Sequence, residues 1–175
     1  MKPSLRISAL FCCLFLAACG TTTPLQTTNL GSARKFSKVT VQDFTSSAAE
    51  SGPGVATATT YFPERIAEEI RNTGAFSTVG RNRKPDVNTL VITGNITKFE
   101  EGNSMLRLFV GMGAGSALFE SDVAFRDGGG GQIGAIKVDK NSWALGGGVA
   151  AAQNPTMFMN GAAEKIAEEA KKLAR

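Results

Sequence analysis

LRLFVGMGAGSALFESDVAF, residues 106–125, sets glycines at alternate positions, Gly111, Gly113 and Gly115, ahead of a run that alternates in polarity. Two folds compete over this stretch. A dinucleotide-binding turn would use the glycines to bring backbone close to a pyrophosphate and would open a helix immediately afterwards. A sheet turn would use them to change direction and would lead into a strand. The fingerprint G-x-G-x-x-G fails in both frames: counted from Gly111 the third small position is Ser116, and from Gly113 it is Leu118. A P-loop would end in Gly-Lys-Ser/Thr, whereas Gly115 is followed by Ser116 and Ala117. No basic residue stands between Arg107 and Arg126 to meet a phosphate. Downstream, Ala117, Phe119, Ser121, Val123 and Phe125 alternate with Leu118, Glu120, Asp122, Ala124 and Arg126, which is the period of a half-buried strand. The glycines therefore read as a turn or bulge in a sheet, with their bare backbone also suited to contact another chain or a lipid surface.

Working outward, the same alternation marks the neighbouring segments. In 89–99, Leu90, Ile92, Gly94 and Ile96 share one face and Thr89, Val91, Thr93, Asn95 and Thr97 the other. Gly94 inside that run predicts a bulge or a close neighbour. DGGGG (127–131) turns the chain back into a strand carrying Ile136 and Val138 and reaching Trp143, a hairpin with a glycine-filled loop. Lys38 to Gln42 opens the domain as a strand, Phe76 to Arg81 forms a short one, 81–86 (RNRKPD) is a solvated basic turn, and 45–54 is a loop. One helix is expected with Pro63 at its first position, a stripe of Phe62, Ile66 and Ile70, and Gly74 as its C-terminal cap. A second is expected behind Asn154 as N-cap and Pro155 as first residue, with Phe158, Ala162, Ile166 and Leu173 as its stripe. ERIAEEIR (64–71) and EKIAEEAK (164–171) nearly match, as two helices packing alike on one sheet would. The order strand, helix, two strands, hairpin, helix predicts an α+β two-layer sandwich. Its mixed or mostly antiparallel sheet of about five strands would be covered on one face by two helices.

The N-terminus carries an address. Lys2 and Arg6 precede an apolar run from Ile7 to Ala18 that is too short to span a bilayer, and it ends Leu16-Ala17-Ala18-Cys19. This resembles a bacterial lipobox, which implies removal of residues 1–18 and acylation of Cys19 with a diacylglycerol and a third chain, such as palmitate. Several chains are needed because one holds a protein only marginally. Gly20, where inner-membrane retention would call for Asp, implies the outer membrane. Cys12 and Cys13 leave with the signal, so the mature chain has neither disulfide nor free thiol. Residues 19–36, rich in Thr, Gly, Ser and Pro, are expected to be a flexible tether, and 37–175 a single periplasmic domain.

Composition excludes more than it assigns. The chain has no histidine, the commonest general base and metal ligand. Its acidic pairs Glu68-Glu69, Glu100-Glu101 and Glu168-Glu169 are adjacent and so diverge on a helix or strand. No catalytic residue, cofactor or metal is implied. The formal charge of +4 falls further once Lys2 and Arg6 are removed, which is no nucleic-acid footprint. Arg107, charged among apolar neighbours just before the glycines, reads as a structural ion pair or a ligand contact. The candidate contact surface is therefore Arg107, Gly111, Gly113 and Gly115.

The ordered set VTVQDF, PERIAEEIRNTGAFSTV, LVITGNITKFEEGN and LRLFVGMGAGSA resembles a bacterial lipoprotein family known as a domain of unknown function, of the 4410 type, over about residues 37–173. Its signature is Gly-x-Ile-x-x-Phe-x-x-Gly, here Gly94 to Gly102, then Arg107 and the Gly111–Gly115 run. The first half is also similar to a wider group of periplasmic α/β lipoproteins that includes the curli-secretion channel subunit and the activator of a peptidoglycan synthase. The long alternating strands of that channel's membrane hairpins are missing here. The resemblance implies a non-enzymatic envelope lipoprotein held in the outer membrane by its anchor and facing the periplasm. It would bind an unidentified envelope protein or form a homo-oligomer. A subunit of a secretion or surface-assembly complex is the alternative, and a small-ligand binder or enzyme the less favoured one. Cys19→Ser is expected to move the protein from the membrane fraction to the soluble periplasmic fraction; unchanged fractionation would refute the lipobox.

Overall fold

The computed structural model describes residues 22–27, 35–49, 53–102, 115–141 and 154–175. They build two layers. The sheet has seven strands, and two helices cover one of its faces. The strands are β1 (Gln26–Thr27), β2 (Lys38–Val41), β3 (Thr45–Ser46), β4 (Thr78–Arg81), β5 (Thr89–Glu100), β6 (Leu118–Asp127) and β7 (Gln132–Asn141). The helices are α1 (Pro53–Asn72) and α2 (Pro155–Lys171). The order across the sheet is β1-β7-β6-β5-β2-β4, with β3 also paired to β5. β2 runs parallel to β4 and β5, and β5, β6 and β7 form an antiparallel meander. The sheet is thus mixed, as its sequence pattern predicts, with two strands more than expected because β1 and β3 are two-residue strands too short to carry a period.

The alternating runs place their apolar faces inward. Leu90, Ile92, Ile96, Phe119, Val123, Phe125, Ile136 and Val138 are buried on the helix-covered face. The register of β5 on β6 shifts between Ile96 and Lys98, and this brings Phe99 to the buried face after Ile96. Gly94 has a close neighbour, as expected. A Cβ there would stand 2.3 Å from the ring of Phe44, which crosses over the strand. That ring separates β2 from β3 and begins a series of edge-to-face contacts. Phe44 meets Phe62 at 5.4 Å, Phe62 meets Phe119 at 5.0 Å, and Phe119 meets Phe99 at 6.5 Å.

Two expectations about α1 are corrected. It begins at Pro53, not Pro63, and the stretch read as a loop contains β3 and the first two residues of the helix. Pro63 lies inside α1, where its missing N–H leaves the carbonyl of Thr59 without its usual helical donor. Phe44 fills that vacancy by donating its N–H to Thr59 O at 3.0 Å, and Arg81 Nη1 reaches Thr60 O at 3.5 Å. The proline therefore costs no orphaned acceptor and instead ties the helix to the end of β2. Gly74 stands just past the helix at φ +63°, as the cap requires.

The second helix follows its sequence signals closely. Asn154 accepts from Met157 N at 3.0 Å, Pro155 is the first residue, and Phe158, Ala162 and Ile166 are buried. The near-match between the helices has a packing cause. Ile66, Ala67 and Ile70 on α1 and Ile166, Ala167 and Ala170 on α2 are all buried in one core, and Tyr61 donates to Asn160 Oδ1 at 2.9 Å between them.

The described parts of the stretch 19–36 are paired to the domain. Gln26–Thr27 pairs antiparallel with β7, Thr22 bridges Val138, and Phe36 is fully buried beside Ala174. An unpaired edge of β7 would expose a row of hydrogen-bonding groups, and threonine suits an edge strand. Trp143, the expected end of the returning strand, lies outside the described residues; β7 is described to Asn141.

Gly94→Ala is expected to cost about 1–3 kcal/mol, because the ring of Phe44 is buried and has nowhere to retreat. Gly161→Ala on α2, where an added Cβ meets nothing within 4 Å, is expected to gain about 0.5–1 kcal/mol. Thermal unfolding of both variants checks the pair, and equal effects would contradict the packing described.

Candidate contact surface

The sheet has two ends, here called upper and lower. At the upper end β5 finishes and β6 begins, with Glu100 opposite Leu118. At the lower end β5 starts, with Leu90 opposite Asp127. Of the predicted contact residues, Gly115 is described. It stands at the upper end with φ +69°, immediately before β6. Gly102, at φ +73°, closes the other side of the same connection just after β5. These two left-handed residues are the backbone conformations that let the chain leave one antiparallel strand and enter its neighbour. Arg107, Gly111 and Gly113 lie outside the described residues, as does Cys19. Gly115 leads into strand β6, and no helix opens there.

The first turn of α1 also reaches the upper end. A Cβ on Gly54 would stand 2.4 Å from Glu101 Oε1 and 2.9 Å from the ring of Phe99. Lys98 and Glu120 face each other at 3.9 Å on the same part of the sheet, half exposed. Among the described residues, the charges there are of both signs.

Sequence reasoning missed a polar cluster built on Arg81. The basic turn was expected to be solvated, yet the Arg81 side chain is only 15% exposed. Its Nε donates to Val41 O at 2.9 Å, Nη1 to Glu64 Oε2 at 3.0 Å and Nη2 to Asp43 Oδ1. Asn82, held at φ 50°, donates to Asp43 Oδ2 at 3.0 Å and accepts from Asp43 N at 2.9 Å. Glu64 also takes Arg71 at 3.3 Å. Both carboxylates are committed to guanidinium partners, so the cluster clamps β2, β4 and α1. The only sequence signal was the proximity of Arg81 to the end of an expected strand, which gives no hint of its partners.

At the lower end Asp86 is held by three donors: Lys38 Nζ at 2.7 Å, Thr89 Oγ1 at 2.7 Å and Asn88 N at 2.9 Å. These, Lys38 first, lower its pKa to about 2. The turn is seated on Gly128, where a Cβ would come within 1.8 Å of Asp86 O. Among the described residues no group of histidine, cysteine or carboxylates could hold a metal ion, and no helix is long and apolar enough to cross a membrane.

Comparison with known proteins gives a family and a fold. A family model described as Domain of unknown function (DUF4410) matches residues 26–146. No curated protein matches the chain. The chain is similar to a solved dodecamer of a PelC variant from Paraburkholderia phytofirmans, at TM-score 0.52 and 16% identity, over 89% of this chain and 98% of that one. It is similar to a second PelC dodecamer from the same organism at TM-score 0.52 and 15% identity, over 89% of this chain and 99% of that one. At such identity the likeness establishes the fold.

The Asp86 carboxylate binds its proton less readily folded than unfolded, so its contribution to stability is present above the ordinary carboxylate range and is lost as pH falls toward about 2. In Lys38→Met the Asp86 pKa is expected to rise from about 2 part of the way to 3.8, since Thr89 and Asn88 still donate. Carboxyl titration by NMR reads this directly, and an unmoved value would show that Lys38 is idle.

Proposed function

The chain belongs to the family described as Domain of unknown function (DUF4410), and on that premise we propose a non-enzymatic lipoprotein of the cell envelope that works as a self-assembling subunit. Its anchor is Cys19 and its membrane the outer one, with the domain on the periplasmic side. One observation carries the assembly reading. The solved structures of similar fold are dodecamers, and the likeness spans 98% and 99% of their chains, so the shared fold is the whole of what assembles there. The anchoring reading rests on the lipobox at Leu16–Cys19. The non-enzymatic reading rests on the absence of histidine from the sequence and on the Arg81 cluster, whose carboxylates are already paired.

The full lipidated chain, extracted in mild detergent, tests this by analytical ultracentrifugation. The expected result is a discrete closed oligomer, of the order of the twelve chains of the similar structures. A protein mass of one chain at every concentration would sink the assembly reading. A mass made up by a different envelope protein would replace it with a reading of hetero-association.

A further inference from the structure

We propose that the upper end of the domain is laid against the lipid bilayer, and that β1 is the strap that holds it there; the inference rests on the lipoprotein reading of Cys19. The strap is bonded along β7. Thr22 bridges Val138, Thr23 N donates to Lys137 O at 2.9 Å, and Lys137 N donates to Thr23 Oγ1 at 2.9 Å. Gln26 and Thr27 then pair with Ala135 and Gly134. The backbone of Gln26 lies so close over Gly134 that a Cβ there would be 2.6 Å from Gln26 O. The N-terminal segment therefore runs down the edge of the sheet from its upper to its lower end, antiparallel to β7.

Chain length does the rest. Only Gly20 and Thr21 separate Cys19 from Thr22, so the acylated residue stands no more than about 11 Å from the bridge to Val138. β7 itself continues three residues past Val138 to Asn141, about 10 Å at strand rise. An anchor on that leash comes just level with the upper edge of the sheet. Were the whole stretch to Lys35 loose, it would reach about 50 Å, longer than β6 at roughly 33 Å, and either end could face the lipid. Pairing of β1 removes that freedom. Among the described residues, the groups brought to the bilayer surface are the exit of β5 at Glu100 and Glu101, the entry of β6 at Gly115 and Ser116, and Lys140 on β7. The predicted contact surface, in so far as Gly115 represents it, thus acquires a partner: the lipid headgroup layer.

The test uses the lipidated full chain in vesicles whose lipids carry a nitroxide on the headgroup. A fluorophore is placed through Glu101→Cys at the upper end or Val87→Cys at the lower end, both exposed positions. The two are separated by the length of β5, about 35–40 Å. Cys19 is blocked by its acyl chains, so labelling is confined to the introduced thiol. Strong quenching at position 101 with none at 87 is expected. A Gly/Ser insert of about twelve residues between Thr21 and Thr22, spanning roughly 20 Å, leaves every β1 contact in place and should abolish the difference. Equal or reversed quenching in the parent chain, or a difference that survives the insert, overturns the inference while leaving the anchor intact. Failure of the chain to stay on vesicles overturns the lipoprotein reading, and the inference with it.

Discussion

The ring of Phe44 lying across Gly94 is the contact on which the rest of the fold depends. It requires a strand residue with no Cβ, and it interrupts the strand that would otherwise run unbroken from β2 into β3. At that interruption the Phe44 N–H is freed from the sheet and pairs with Thr59 O, the carbonyl that Pro63 cannot serve. Two local irregularities, a proline inside a helix and a break in a strand, thereby cancel each other's unmet hydrogen bonds. The ring continues into Phe62, Phe119 and Phe99, so one line of edge-to-face contacts joins the helix layer to both central strands.

Charge obeys the same logic of closure. Arg81 draws Asp43 and Glu64 to the ends of β2 and β4, while Lys38 and Asp86 close the turn at the other end of the sheet. These exposed or half-exposed pairs add little energy individually. Their effect is to fix where loops return.

Long periodic segments were legible in the sequence because burial on one face imposes a period. β5, β6, the start of β7 and the capped entry to α2 all obey that rule. The early half of α1 was not. Its inward residues are Val55, Ala58 and Phe62, set among threonines and without charge, so the stripe is thin and Pro63 looks like a beginning. β1 and β3 were hidden for another reason: two-residue strands are defined by their partners, and their own sequences are those of a tether or a loop. At the candidate surface the glycine spacing sufficed to reject a nucleotide turn and to expect a strand. It could not reveal the Arg81 cluster, whose members are brought together only by the parallel pairing of β2 and β4.

On the proposed function and the proposed membrane orientation, these parts make one object: a two-layer domain, strapped along β7 to an anchor at one end, that closes on copies of itself at the membrane. Electron cryomicroscopy of the lipidated full chain reconstituted into bilayers tests that claim most directly. The expected images are closed rings resting on the bilayer at one fixed height, with the β5–β6 end of each domain toward the lipid. Single domains scattered at varying heights, or rings turned the other way, would contradict it.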